Sequence, residues 1–275
     1  MTQKTIKRKF GVLALLFAIS TGYLFFWPVP FAPAAWNPSA SPHNTPPYTV
    51  NNLLKNIERL DISNGKGPET VIEGPDGALY TGLTNGSIIR MTPDGEESLY
   101  STVYTRPLGL AFDQQGVLYV ANSEYGLVAV ATDGSFKVVA EGLDEGRFVF
   151  INDVDVAPDG MVYFTETSTK FPIEESRPAF FEHRPNGRLL SYNPNTGEVI
   201  TVLDQLYYPN GLAIEKNGLF VLVSETTRYQ VRRVYLDSAR LGHNDIFISN
   251  LPGTPTGITI NNDGFVWLPL SGPRI

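Results

Sequence analysis

The sequence predicts an all-β fold of the β-propeller type, preceded by one N-terminal transmembrane helix. Three observations carry this reading. A turn-plus-strand pattern recurs five times along the body, the body shows no helical hydrophobic period, and one uncharged apolar stretch lies near the N-terminus.

Taken in chain order, residues 1–9 form a basic tail in which Lys4, Lys7, Arg8 and Lys9 are charged. Residues 10–27, FGVLALLFAISTGYLFFW, carry no charge. As a helix they span about 27 Å, close to the hydrocarbon thickness of a bilayer. The basic residues favour the cytoplasmic side and the terminal Tyr, Phe and Trp residues suit the far interface. The expected localisation is therefore a single-pass membrane protein with its body on the extracytoplasmic side, periplasmic in a bacterium. A cleaved signal peptide is the competing reading, with Ala32-Pro33-Ala34 as a weak cleavage site. Residues 28–50 are rich in proline and read as an extended stalk. The partial propeller is expected over residues 51–275.

The five copies of the repeat are PDGALYTG (75–82), QQGVLYVA (114–121), PDGMVYFT (158–165), KNGLFVLV (216–223) and NDGFVWLP (262–269). Their turn glycines, Gly77, Gly116, Gly160, Gly218 and Gly264, need the positive φ of a hairpin turn. A short apolar strand precedes each copy and further hairpins separate them. Four strands per repeat of about 40–50 residues is the pattern of propeller blades. The longest interval leaves room for a loop over 170–185. Residues 51–63 are expected to add a strand. The chain accommodates about four and a half blades, so the propeller is expected to be incomplete at the C-terminus.

Composition narrows the function. Of 275 residues, 42% are hydrophobic and 18% charged, which suits a folded core and excludes disorder. The chain has 21 basic and 28 acidic residues, and four of the basic ones lie in the tail. The acidic body argues against nucleic acid as a partner. With no cysteine, a thiolate nucleophile, a disulfide framework and a cysteine-ligated metal are excluded.

Counting back eight residues from each turn glycine gives Glu69, Leu108, Asn152, Asn210 and Thr256. In a rotational repeat, equal offsets give equivalent positions, so these residues should ring the channel axis at one end, with Leu108 as an apolar wall. One carboxylate and two amides form an oxygen set that Ca²⁺ accepts, whereas zinc is disfavoured. Capping of strands by the same side chains is the alternative reading.

Several segments resemble the strictosidine synthase-like family, in its branch of adipocyte plasma membrane-associated proteins. They are GPET (67–70), FINDVDV (150–156), VYFTETSTKF (162–171), NGRLLSYNPNTGE (186–198), YPNGLAI (208–214), LVSETTRYQVRRVYL (222–236) and LPGTPTGI (251–258). The resemblance covers most of residues 25–275. With the wider gluconolactonase and paraoxonase group, it implies a six-bladed propeller with Ca²⁺ near the axis, held by Glu69, Asn152 and Asn210. Thr256 stands where relatives usually have aspartate, which weakens the expected site. The glutamate base of strictosidine synthase has no counterpart in this chain, so that reaction is not expected.

The expected function is that of a membrane-anchored, Ca²⁺-dependent hydrolase acting on a small-molecule ester or lactone, of arylesterase or lactonase type. Asp153 is the candidate base. The alternative is a non-catalytic propeller that binds ligands or partners at the membrane surface. Glu225 with Arg228, Arg232 and Arg233 is expected to form a structural ion-pair cluster, and His43, His183 and His243 are expected to serve surface or loop roles. No nucleophile elbow, phosphate-binding loop or dinucleotide fingerprint is present.

Overall fold

The computed structural model describes residues 3–274. It contains two compact units, one ending at Ala32 and one beginning at Pro33. The first holds helix α1, Gln3–Phe26, in which Lys9–Phe26 is long and apolar enough to cross a membrane.

The second unit is a propeller body of consecutive four-stranded antiparallel sheets. The first sheet comprises β1 (Val71–Glu73), β2 (Leu79–Gly82), β3 (Ser87–Met91) and β4 (Glu97–Thr102). The second comprises β5 (Pro107–Phe112), β6 (Leu118–Asn122), β7 (Gly126–Val130) and β8 (Phe136–Ala140), followed by a small hairpin, β9 (Gly142–Leu143) and β10 (Gly146–Arg147). The third is built from β11 (Phe150–Val156), β12 (Val162–Ser168), β13 (Gly187–Tyr192) and β14 (Val199–Leu206). The fourth is built from β15 (Pro209–Ile214), β16 (Phe220–Glu225), β17 (Gln230–Tyr235) and β18 (Asn244–Ile248). A further blade-like segment pairs β19 (Gly253–Pro255) with β22 (Leu270–Pro273), and β20 (Thr259–Ile260) with β21 (Val266–Trp267). All five turn glycines have φ between 72° and 85°, as the hairpins require.

Apolar clusters lie between neighbouring sheets. Ala111, Tyr119 and Leu127 of the second sheet pack with Ile151, Val162 and Phe164 of the third. Tyr163 and Leu189 point the other way, onto Leu212, Val221 and Val223 of the fourth. Strands β12 and β16 are thus buried on both faces, which is why VYF and FVLV read as unbroken apolar runs and not as alternating ones.

Hydroxyls tie the inner strands across one of these boundaries. Thr165 accepts the Asp153 N–H at 3.1 Å and donates to the Asn210 carbonyl at 2.7 Å. Ser224 repeats the device one sheet later, accepting the Gly211 N–H at 2.9 Å and donating to the Thr256 carbonyl. Thr167 and Thr226 add parallel bonds to the carbonyls of Pro209 and Pro255.

Two local expectations are corrected. Residues 51–63 form turns and exposed extended chain, not a strand. Leu53, Leu54, Ile57 and Leu60 are spaced so that no single strand face collects them, and all are exposed. The loop over 170–185 holds a 3₁₀ turn, Ile173–Glu175, and a short helix α2, Ser176–Glu182, which the sequence did not announce. The proline-rich segment beyond Pro33 is docked on the body. The Ala34 N–H reaches the Glu182 carbonyl at 2.9 Å. Trp36 stacks on His183 with centroids 4.4 Å apart, and Arg228 lies over both Trp36 and Tyr207.

Candidate functional site

The eight-residue offset lands on a recurring backbone irregularity. The register of β5 against β6 shifts between Pro107 and Gly109, that of β11 against β12 between Ile151 and Val154, and that of β15 against β16 between Pro209 and Leu212. Leu108, Asn152 and Asn210 sit inside these bulges. A bulge interrupts the ladder and re-aims the side chain it carries, a device common beside binding sites. Glu69 lies just before β1 and Thr256 just after β19.

The positions follow one another around the axis. A Cβ on Gly109 would collide with Asp153, and one on Gly211 would meet Gly257 and the Thr256 carbonyl. Gly211 donates its N–H to that carbonyl at 3.1 Å. Only glycine allows the inner strands to approach this closely.

A central channel of about 470 Å³ runs between the inner strands. Glu69 and Asp153 line it together with Ile72, Leu110, Leu212 and Ile258. The Glu69 side chain is 38% exposed and meets Arg106 Nη2 at 3.2 Å. Asn152 is buried at 5% exposure, and Asn210 is half-buried. Neither amide has a protein hydrogen-bond partner among the described residues. At equivalent bulges, their side-chain oxygens keep lone pairs for a ligand.

Asp153 has a structural duty as well. Its Oδ1 accepts the Val154 N–H at 3.0 Å, and its Oδ2 accepts the Leu212 N–H of the next sheet at 2.9 Å. Asp155 repeats the clasp two residues on, with the N–H groups of Val156 and Ile214. Burial pushes the Asp153 carboxyl up to about 8, and the charges of Asp155 and Glu69 add to the rise, against the two N–H donors. Asp155 is pushed up to about 6, again by burial. Tyr208 is pushed up to about 12 by burial and by the nearby Glu69 charge.

Among the described residues, no three His, Cys, Asp or Glu side chains form a metal-binding group. The ring set has one carboxylate and two amides, so it fits a hard cation through neutral oxygens and with little charge.

Glu166 and Glu225 occupy equivalent ends of β12 and β16 and are fully buried. Glu166 accepts the Val149 N–H at 2.7 Å and Arg188 Nε at 2.6 Å. Glu225 accepts the Tyr207 N–H at 3.0 Å and Arg232 Nε at 2.9 Å. Both latch the backbone three residues before a ring asparagine. Arg232 therefore joins Glu225 as expected, but Arg233 pairs with Asp245 and Arg228 stacks on aromatic rings. His183 is stacked in a half-buried loop, not free at the surface. Arg106, Asp155, Thr165 and Ser224 were not singled out in the sequence. Thr165 and Ser224 could have been, because they share one offset in YFTE and LVSE.

The strictosidine synthase family profile matches residues 152–239, and the strictosidine synthase-like N-terminal profile matches residues 46–91. The human adipocyte plasma membrane-associated protein is 30% identical over 97% of this chain and 69% of its own length. The chain belongs to the strictosidine synthase-like family. A strictosidine synthase-like 4 protein of Arabidopsis thaliana is 29% identical over 84% of the chain and 63% of its own length. Among solved structures, a gluconolactonase from Xanthomonas campestris superposes with a TM-score of 0.62 at 19% identity, covering 74% of this chain and 70% of that one. The calcium-binding protein regucalcin from Agrobacterium tumefaciens gives 0.60 at 19% identity, covering 76% and 69%. These likenesses establish the propeller fold for this family member.

Proposed function

We propose that the chain is a membrane-anchored hydrolase of small esters or lactones whose site is the ring at the end of the channel. The observation that carries this reading is the pair of unpartnered amides, Asn152 and Asn210, in equivalent bulges of a ring that also holds the Glu69 carboxylate. These three side chains would hold Ca²⁺, a reading supported by the likeness in fold to regucalcin, a calcium-binding protein. Bound there, the ion would polarise a carbonyl oxygen and favour the ionised form of Asp153. The apolar wall of Ile72, Leu110 and Ile258 would take the acyl portion of the substrate. Asp153 keeps lone pairs free beyond its two backbone donors and is the group to take a proton from attacking water. The Val154 and Leu212 N–H groups hold its carboxyl in place.

The full-length chain, purified in detergent, should hydrolyse phenyl acetate or a lactone from a panel. It should lose that activity on chelation and in Asn152→Ala and Asn210→Ala. Hydrolysis indifferent to chelation and to both substitutions would refute the reading.

A second reading rests on Thr256, whose carbonyl is already taken by Gly211 and Ser224 and whose side chain brings no charge. A ring with one carboxylate holds a cation weakly. Such a propeller would bind ligands or partners without turnover. Calcium-dependent stabilisation without hydrolysis of any panel substrate would favour it.

A further inference from the structure

We infer that a cavity among the loops of the first two sheets is a binding site for a small zwitterion. The ligand's carboxylate meets Arg106 and Ser123, and its ammonium group meets Glu124, Glu174 and the ring of Tyr104. This place lies apart from the channel, and its occupation does not rest on the ring holding a cation.

The first observation is the cavity and its unsatisfied donors. It measures about 480 Å³ and lies among the turn between β2 and β3, the loops that follow β4 and β6, and the 3₁₀ turn Ile173–Glu175. It shares no lining residue with the channel. Ser123 lines it, is 1% exposed, and has no hydrogen-bond partner for its Oγ among the described residues. Arg106 lines it too, with Nε buried and unpartnered while Nη2 meets Glu69. Buried polar atoms are normally paired. Two free donors on neighbouring residues of one cavity suit a single acceptor group, and a carboxylate has two oxygens to take both.

The second observation is the charge around those donors. Glu69, at 3.2 Å, already offsets the Arg106 guanidinium. Glu124 and Glu174 line the same cavity, are exposed, and form no ion pair among the described residues. The surroundings are therefore net negative, which disfavours a simple anion. A ligand that brings a carboxylate here must bring a positive charge as well. Tyr104 stands on the same cavity at 58% exposure, and an aromatic ring beside carboxylates attracts an ammonium group.

The third observation is that the site is built in advance. Buried Asn122 accepts the Thr105 hydroxyl at 2.6 Å and the Tyr125 N–H at 3.2 Å, so it fixes both loops that carry the donors. The Ser123 N–H donates to the Arg106 carbonyl at 3.2 Å, which sets the two residues side by side. Tyr104 stacks on Tyr125 at 4.6 Å and meets the edge of Phe136 at 5.1 Å. Groups already held in place cost little to order when a ligand arrives.

Saturation-transfer NMR of the full-length chain in detergent and chelator tests the site. The probes are glycine, β-alanine and γ-aminobutyrate, with acetate, methylammonium and glucose as controls. At least one amino carboxylate should bind, and acetate and methylammonium should each bind severalfold more weakly. Ser123→Ala and Glu124→Gln remove side-chain groups that hold nothing within the fold, so both variants should melt with the wild type. Both should weaken the binding severalfold. Acetate binding as tightly as every amino carboxylate, binding of glucose alone, or no binding by the wild-type chain would overturn the inference. Binding unchanged in either variant would overturn it equally.

Discussion

The second sheet and the third and fourth sheets solve one geometric problem with different chemistry. In each, a side chain at the end of the second strand latches the backbone three residues before the ring position. In the second sheet Asn122 does this, accepting the Thr105 hydroxyl at 2.6 Å and donating to the Thr105 carbonyl at 3.2 Å, and the ring residue is Leu108. In the third and fourth sheets a buried glutamate does it, backed by an arginine, and the ring residue is an asparagine. The backbone bulge is common to all three. The bulge therefore belongs to the scaffold, while the residue it carries differs, apolar Leu108 in the second sheet and the amides Asn152 and Asn210 in the third and fourth.

The largest effects should come from the latches. Glu225→Ala leaves Arg232 and the Tyr207 N–H without their partner and should cost about 3–5 kcal/mol. Asn122→Ala removes only neutral bonds and should cost about 1–3 kcal/mol. Urea unfolding of both variants measures the difference, and equal losses would remove the distinction between the two kinds of sheet.

The ring positions sharpen the comparison next. Leu108→Ala should cost about 2–5 kcal/mol through the cavity it opens, while leaving any calcium-induced rise in melting temperature intact. Asn152→Ala should do the reverse, melting near wild type in chelator and gaining nothing from calcium. Calorimetric melts with calcium and with chelator separate the two outcomes.

A smaller effect is expected where the N-terminal segment docks on the fourth sheet. Burial, and secondarily the Arg228 charge, hold the His183 imidazole down at about 4. A depressed histidine stabilises the fold above its ordinary value of about 6.5 and loses that contribution as pH falls toward 4. Melting temperature should therefore fall across this window, and His183→Phe should flatten the fall.

Much of this was legible in the sequence because propeller geometry repeats. The five turn glycines and the strands before them could be aligned by eye, and a constant offset selected residues that sit in equivalent bulges. What was not legible depends on contacts between distant segments. Asp153 and Asp155 clasp Leu212 and Ile214, 59 positions away, and nothing local in FINDVDV announces those N–H groups. Helix α2 has seven residues and contains Pro178, too short for a hydrophobic period to register. The segment around Trp36 reads as an extended stalk because its prolines forbid a helix. Its docking is decided by His183, Arg228 and Tyr229, all far along the chain.

The central claim is that Glu69, Asn152 and Asn210 hold one cation. Isothermal titration of the chelator-stripped, full-length chain with calcium tests it most directly. The account predicts one site with a Kd on the order of 10⁻⁴ to 10⁻³ M, as suits a ring with a single carboxylate, and its loss in Glu69→Gln and in Asn210→Ala. Absence of binding by the wild-type chain, or binding that survives both substitutions, would contradict it.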